Sequence, residues 1–101
     1  MSEIQVTILS RHQCELCEVV LSTARRLQAT MAFDLTPVEI DADEQLLARY
    51  GSRVPVVMID QVEIGSGALT EADLRRAIKR ARWRSPISRI LSRLRQRLRR
   101  G

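Results

Sequence analysis

Aromatic side chains are nearly missing from this 101-residue chain: Phe33, Tyr50 and Trp83 are the whole set. With 45% of residues hydrophobic, the core must therefore be built mainly from aliphatic side chains. No apolar run approaches the roughly 20 residues that cross a bilayer, which excludes a membrane-spanning helix. Met1-Ser2-Glu3-Ile4 lacks the basic segment and apolar stretch of a secretory signal. Those two absences lead us to expect a cytoplasmic protein. Only two cysteines are present, at positions 14 and 17, and the loop they close is too short to staple a fold. In a reducing compartment such a pair is catalytic or metal-binding. Acidic residues are absent from 82–101, which hold eight arginines, whereas residues 1–81 hold 9 basic and 12 acidic side chains, net −3. The overall charge of +5 thus belongs to an acidic globule with a basic tail, not to a basic nucleic-acid-binding domain. We divide the chain into one domain over 1–82 and an arginine-rich tail over 83–101, since the length leaves no room for a second globular unit.

Along the domain, Ile4, Val6 and Ile8 alternate with polar residues and Leu9 extends the run, predicting a strand with at least one buried face. Ser10 to Gln13 read as a loop. From Cys14, the positions Leu16, Val19, Val20, Ala24, Leu27 and Met31 recur at helical spacing, with Glu15 and Glu18 in a first turn that favours carboxylates. Phe33 to Ile40 form a second strand in which Pro37 indicates an edge or an irregularity. Asp41-Ala42-Asp43 offer capping side chains to a short helix that Gly51 is suited to end. Val54 to Ile59 and Val62 to Ile64 are two further strands joined by a tight turn at Asp60-Gln61. Gly65-Ser66-Gly67 read as a flexible loop, and Thr70 to Asp73 as a variant capping box opening a last helix through Leu74, Ala77, Ile78 and Ala81. The order β-α-β-α-β-β-α predicts an α/β fold with a parallel crossover and a terminal antiparallel hairpin.

The two cysteines fall where the first strand gives way to the first helix. A thiol attacks a disulfide only as thiolate, and the free N–H groups and dipole of a helix N-terminus favour that anion. We assign Cys14 as the nucleophile and Cys17, one turn further in, as the resolving thiol. His12 reads as a solvated loop residue outside the catalytic set.

The segment from Ile8 through Cys14-Glu15-Leu16-Cys17, followed by Arg53-Val54-Pro55-Val56 and by Gly65-Ser66-Gly67 ahead of a final helix, resembles the glutaredoxin-like branch of the thioredoxin superfamily, in particular short bacterial members with a Cys-x-Leu-Cys core. The resemblance covers residues 3–81. It implies a thioredoxin-like fold, a mixed four-stranded sheet with flanking helices, and thiol-disulfide oxidoreductase activity on protein or glutathione mixed disulfides. It further implies a cis Pro55 facing the dithiol and a Val54 backbone that pairs with an extended thiol substrate. Arg11 then lies near the glutathione carboxylate, and Gly67 and Ala68 lie near its other end. Glutathione is the one co-substrate implied, with no resident cofactor or metal. Glu15-Leu16 stands where glutaredoxins usually carry Pro-Tyr.

The same cysteines fit a second reading, an adaptor in which two chains share zinc or an iron–sulfur cluster. In the tail, Ser85-Pro86 reads as a helix start, and Ile87, Ile90, Leu91, Leu94 and Leu98 share one face flanked by arginines. This basic amphipathic helix is expected to pack on the domain, on a protein partner or second copy, or on an anionic membrane surface. No motif for reading nucleic-acid bases accompanies it.

Overall fold

Alternation of side chains across a pleat gives the first strand two unlike faces, and the sheet is built on that difference. The computed structural model describes residues 4–83 and Leu94. Its elements are β1 (Gln5–Ser10), α1 (Glu15–Leu27), β2 (Asp34–Glu39), α2 (Glu44–Tyr50), β3 (Val56–Ile59), β4 (Val62–Ser66) and α3 (Glu71–Trp83), in the predicted order. The four strands form one sheet in the order β2-β1-β3-β4. β1 runs parallel to β2, while β3 is antiparallel to both β1 and β4. This is the mixed thioredoxin-like arrangement expected from the sequence.

Val6 and Ile8 of β1, with Ile4 just before it, point into the larger core, where Val20, Ala24 and Leu27 of α1 meet Leu74, Ile78 and Ala81 of α3. Leu9 points the other way, into a smaller core with Ile40, Tyr50 and Val56, against which Leu46 and Leu47 of α2 pack. Helices α1 and α3 therefore cover one face of the sheet and α2 the other. Burial of aliphatic surface on both faces holds the layers together.

Local chemistry explains the helix ends. Asp43 caps α2, its carboxylate accepting the N–H groups of Gln45 and Leu46 at 3.0 and 3.0 Å. Gly51 ends that helix in a right-handed conformation, φ −55°, and not in the left-handed one that glycine often supplies. What requires glycine there is space, because a Cβ would lie 2.5 Å from the Leu47 carbonyl oxygen. Thr70 and Asp73 form the reciprocal box expected of them: the Asp73 N–H donates to the Thr70 hydroxyl at 3.1 Å, and the Thr70 N–H to the Asp73 carboxylate at 2.9 Å.

Several expectations change. Leu16 and Val19 are 39% and 59% exposed, so the buried face of α1 is rotated toward Cys17, Val20, Thr23, Ala24 and Leu27. Met31 is buried but follows the helix, which ends at Leu27. Gly65 and Ser66 belong to β4, opposite Val57 and Val56, past an irregularity between Val57 and Met58. Only Gly67 of that trio is left-handed, at φ +79°. Strand β3 begins at Val56, after Val54 and Pro55. Pro37 does sit on an edge strand, opposite Ile8. The amphipathic helix predicted for the tail from Ser85-Pro86 onward lies outside the described residues, apart from Leu94, which is helical and 46% exposed. No helix among the described residues is long and apolar enough to cross a membrane.

Candidate redox site

Cys14 is the N-cap of α1, with extended φ and ψ of −106° and 102°. Serine, threonine or aspartate usually fills this position, offering a side-chain oxygen to the unpaired N–H groups of the first turn. Here the acceptor is sulfur: the Cys17 N–H donates to Cys14 Sγ at 3.2 Å. The Glu18 N–H closes the turn on the Cys14 carbonyl at 3.2 Å. Gln13, just before, is left-handed at φ +56°, which swings the chain into the helix start.

The two sulfurs differ in access. Cys14 is half-buried, whereas Cys17 is 1% exposed, on the same helix face as Val20 and Ala24. They are joined as a disulfide with their Cα atoms 5.2 Å apart. An incoming sulfur nucleophile or substrate meets Cys14 first.

Residues before the helix are held by a group that the sequence reading placed elsewhere. Asp41, read as part of a helix cap, leaves capping to Asp43 and turns to the other strand end. Its Oδ2 accepts the His12 N–H at 2.7 Å, and its Oδ1 meets Arg11 Nε at 3.4 Å. The His12 N–H, with the Arg11 guanidinium second, holds the Asp41 carboxyl below the usual carboxylate range. Parallel register explains the meeting, since Ser10 lies opposite Glu39 and the chains leave β1 and β2 side by side. Arg11 is thus engaged by Asp41 at the rim of the site. His12 is exposed, its Nδ1 3.9 Å from Glu39 Oε1.

The sheet gathers the remaining candidates at the same end. Leu9 pairs with Val56, and Val56 with Ser66, so the segments after β1, before β3 and after β4 leave the sheet side by side. The Val54-Pro55 peptide is cis, as the family resemblance implied. The Gly67 N–H donates to the Pro55 carbonyl at 2.9 Å, and the Leu69 N–H to the Gly67 carbonyl at 2.8 Å, leaving Ala68 exposed at the tip. Upstream, Arg53 forms a two-pronged pair with Glu63 at 2.7 and 3.3 Å, its guanidinium carbon 5.2 Å from the Tyr50 ring centre. Hydrogen bonding to Glu63 raises the Arg53 pKa, and the reciprocal bond lowers that of Glu63. Val54, Pro55, Gly67 and Ala68 form one corner, Arg11 and Asp41 another, with Cys14 at the helix start.

With a CxxC pair at a helix start and a cis proline just ahead of β3, the family follows from comparison. Residues 5–79 match the family model described as Glutaredoxin-like domain (DUF836). The chain belongs to this glutaredoxin-like family. Among its relatives, the uncharacterized protein Rv0508 of Mycobacterium tuberculosis is 32% identical over 91 residues, covering 85% of this chain and 94% of that one. Protein Ne2328 from Nitrosomonas europaea, solved by solution NMR, superposes with a TM-score of 0.66 at 26% identity, over 76% of this chain and 93% of its own. A mutant thioredoxin from Halobacterium salinarum shares the fold, with a TM-score of 0.62 at 19% identity over 83% of this chain and 79% of its own. The matched residues therefore take in the whole sheet and α3 as far as Lys79. Among the described residues, no group of three or more His, Cys, Asp or Glu side chains is placed to hold a metal ion.

Proposed function

We propose that this protein is a cytosolic thiol-disulfide oxidoreductase that reduces protein or glutathione mixed disulfides through Cys14 and Cys17. One observation carries the reading: a half-exposed sulfur accepts the Cys17 N–H at the start of a helix, and its bonding partner is buried one turn behind it. Backbone donors at that place favour thiolate over thiol.

The Cys14 thiolate attacks one sulfur of a substrate disulfide. A Cys14–substrate bond forms as the substrate S–S bond breaks, and one substrate thiolate leaves. Cys17, as thiolate, then attacks Cys14 Sγ and expels the second substrate thiol. The substrate has gained two electrons, and the protein is left with its internal disulfide. Two molecules of an external thiol, glutathione being the one the family resemblance implies, then reduce the protein: the first breaks the Cys14–Cys17 bond by forming a mixed disulfide, the second attacks that adduct, and the pair leaves as its own disulfide, having returned two electrons and two protons. Burial of Cys17 supports this division of labour, because a shielded sulfur resolves an intramolecular adduct more readily than it meets a protein in solution. In this reading the substrate chain lies along the corner formed by Val54, Pro55, Gly67 and Ala68, and Arg11, beside Asp41, meets a substrate carboxylate.

The test is a trapping experiment. Cys17→Ser retains Cys14 but removes the resolving thiol, so a mixed disulfide with substrate should accumulate, while Cys14→Ser should trap none. Adducts formed equally by both variants, or by neither, refute the assignment. Stoichiometric zinc or a cluster chromophore in the purified protein would instead favour the reading in which two chains share a metal.

A further inference from the structure

Helix α3 buries Leu74, Ile78 and Ala81 against the sheet and turns a different set of residues outward. Arg76, Lys79, Arg80 and Trp83, spaced three, four and seven apart, line one shallow surface cleft. Arg76 is engaged by Asp73 at 2.8 Å and Arg75 by Glu71 at 3.5 Å, so the first half of the helix is close to charge balance. Beyond them the balance is lost: among the described residues, no carboxylate lies within ion-pair distance of Lys79, Arg80 or Arg82. Trp83 ends the stripe 84% exposed, an unusual place for so large an apolar ring.

We propose that this outer stripe of α3 is a docking surface for an anionic lipid bilayer, with Lys79 and Arg80 of the stripe and Arg82 on its flank meeting headgroup phosphates or carboxylates and Trp83 seated at the interface. Cations with long alkyl stems beside an exposed indole match a boundary that is charged outside and apolar a few ångströms in. The sequence beyond the stripe continues the pattern with seven more arginines and no acidic residue, and with Ile87, Ile90, Leu91, Leu94 and Leu98 at helical spacing. Nucleic acid offers the same phosphates and base faces on which an indole can stack, but only a bilayer offers a continuous apolar layer behind its phosphates for both exposed Trp83 and exposed Leu94, which favours lipid. The inference stands apart from the dithiol chemistry, since none of its residues belongs to that site.

Trp83 is the only tryptophan of the chain, so its fluorescence reports on the stripe directly. Full-length protein titrated with phosphatidylcholine vesicles containing phosphatidylserine should show a blue-shifted emission, protected from aqueous quencher and reversed by salt. Vesicles of phosphatidylcholine alone should give neither. Each Lys or Arg at such a surface multiplies partitioning by about fivefold, so the combined Lys79→Ala, Arg80→Ala and Arg82→Ala variant should bind about 100-fold more weakly. Far-UV circular dichroism of that variant should match the parent, because all three side chains are exposed. Three outcomes overturn the proposal: no shift with anionic vesicles, equal binding to neutral vesicles, or unchanged binding by the triple variant. Duplex DNA that binds at the same salt and displaces the protein from vesicles would also overturn it, in favour of a nucleic-acid surface.

Discussion

Leu27→Ala tests the orientation of α1, on which the choice between the two sulfurs depends. Leu27 is 1% exposed, in the larger core between the sheet and α3. Removing its isobutyl group loses the transfer free energy of the buried atoms and leaves a cavity, at a combined cost of about 2–5 kcal/mol. In a domain of this size 1 kcal/mol shifts the melting temperature by roughly 4–8 °C, so a mid-range cost of about 3 kcal/mol lowers it by about 12–24 °C. Val19→Ala is the control. Val19 is 59% exposed, and its truncation should change stability by no more than about 0.5 kcal/mol. Thermal and urea unfolding of both variants, followed by circular dichroism with the dithiol oxidised and then reduced, give the two differences. Residues 17, 20, 24 and 27 span about 80° of the helix, and Val19 lies outside that arc. Should Val19→Ala cost as much as Leu27→Ala, the helix is turned further around its axis. Cys17 would then face solvent and the assignment of Cys14 as the attacking sulfur would fall.

Acid should weaken the fold through three surface carboxylates. Asp41 is held below its ordinary 3.8 first by the His12 N–H, Asp73 below 3.8 first by the Thr70 N–H, and Glu63 below 4.5 first by Arg53. A carboxyl whose folded pKa is depressed stabilises above its unfolded value and loses that contribution as pH falls through the folded one. The urea midpoint should therefore be level near neutrality and fall as the pH drops below 4.5 and then 3.8, less steeply at high salt because all three side chains are partly open to solvent. A combined Asp41→Asn, Glu63→Gln and Asp73→Asn variant whose acid profile matches the parent would refute it. Gly67→Ala should cost about 1–2 kcal/mol through backbone conformation alone, since φ is +79° and a Cβ would meet nothing within 4 Å. A neutral result by denaturant unfolding would show that the loop adapts without losing the Gly67–Pro55 hydrogen bond.

The order of elements was legible because each depends on neighbours in sequence. Ile4, Val6 and Ile8 carry their strand pattern in any context, and Asp43 and the Thr70–Asp73 pair mark helix starts by hydrogen bonds spanning two or three residues. The dithiol was legible for the same reason, since spacing and helix start are both local. Which side of α1 faces inward was not, because Leu16 and Val19 have the right chemistry for a core and only the packing of α3 and the sheet decides. Asp41 escaped in a similar way. Its partners Arg11 and His12 are about thirty residues away in sequence, and only the parallel register of β1 with β2 brings them together. Gly65 and Ser66 read as loop from composition, whereas cross-strand pairing with β3 extends the ladder through them.

The outer strand β2 ends the sheet in a way that discourages self-association. Asp34 and Ile40 donate their N–H groups inward, to Ile4 and Ser10, so by alternation the outward donors belong to Leu35, position 37 and Glu39. Position 37 is proline and has no N–H to give. A foreign strand laid along this margin would find its hydrogen-bond ladder broken at the middle rung, which lowers the tendency of neighbouring molecules to polymerise edge to edge.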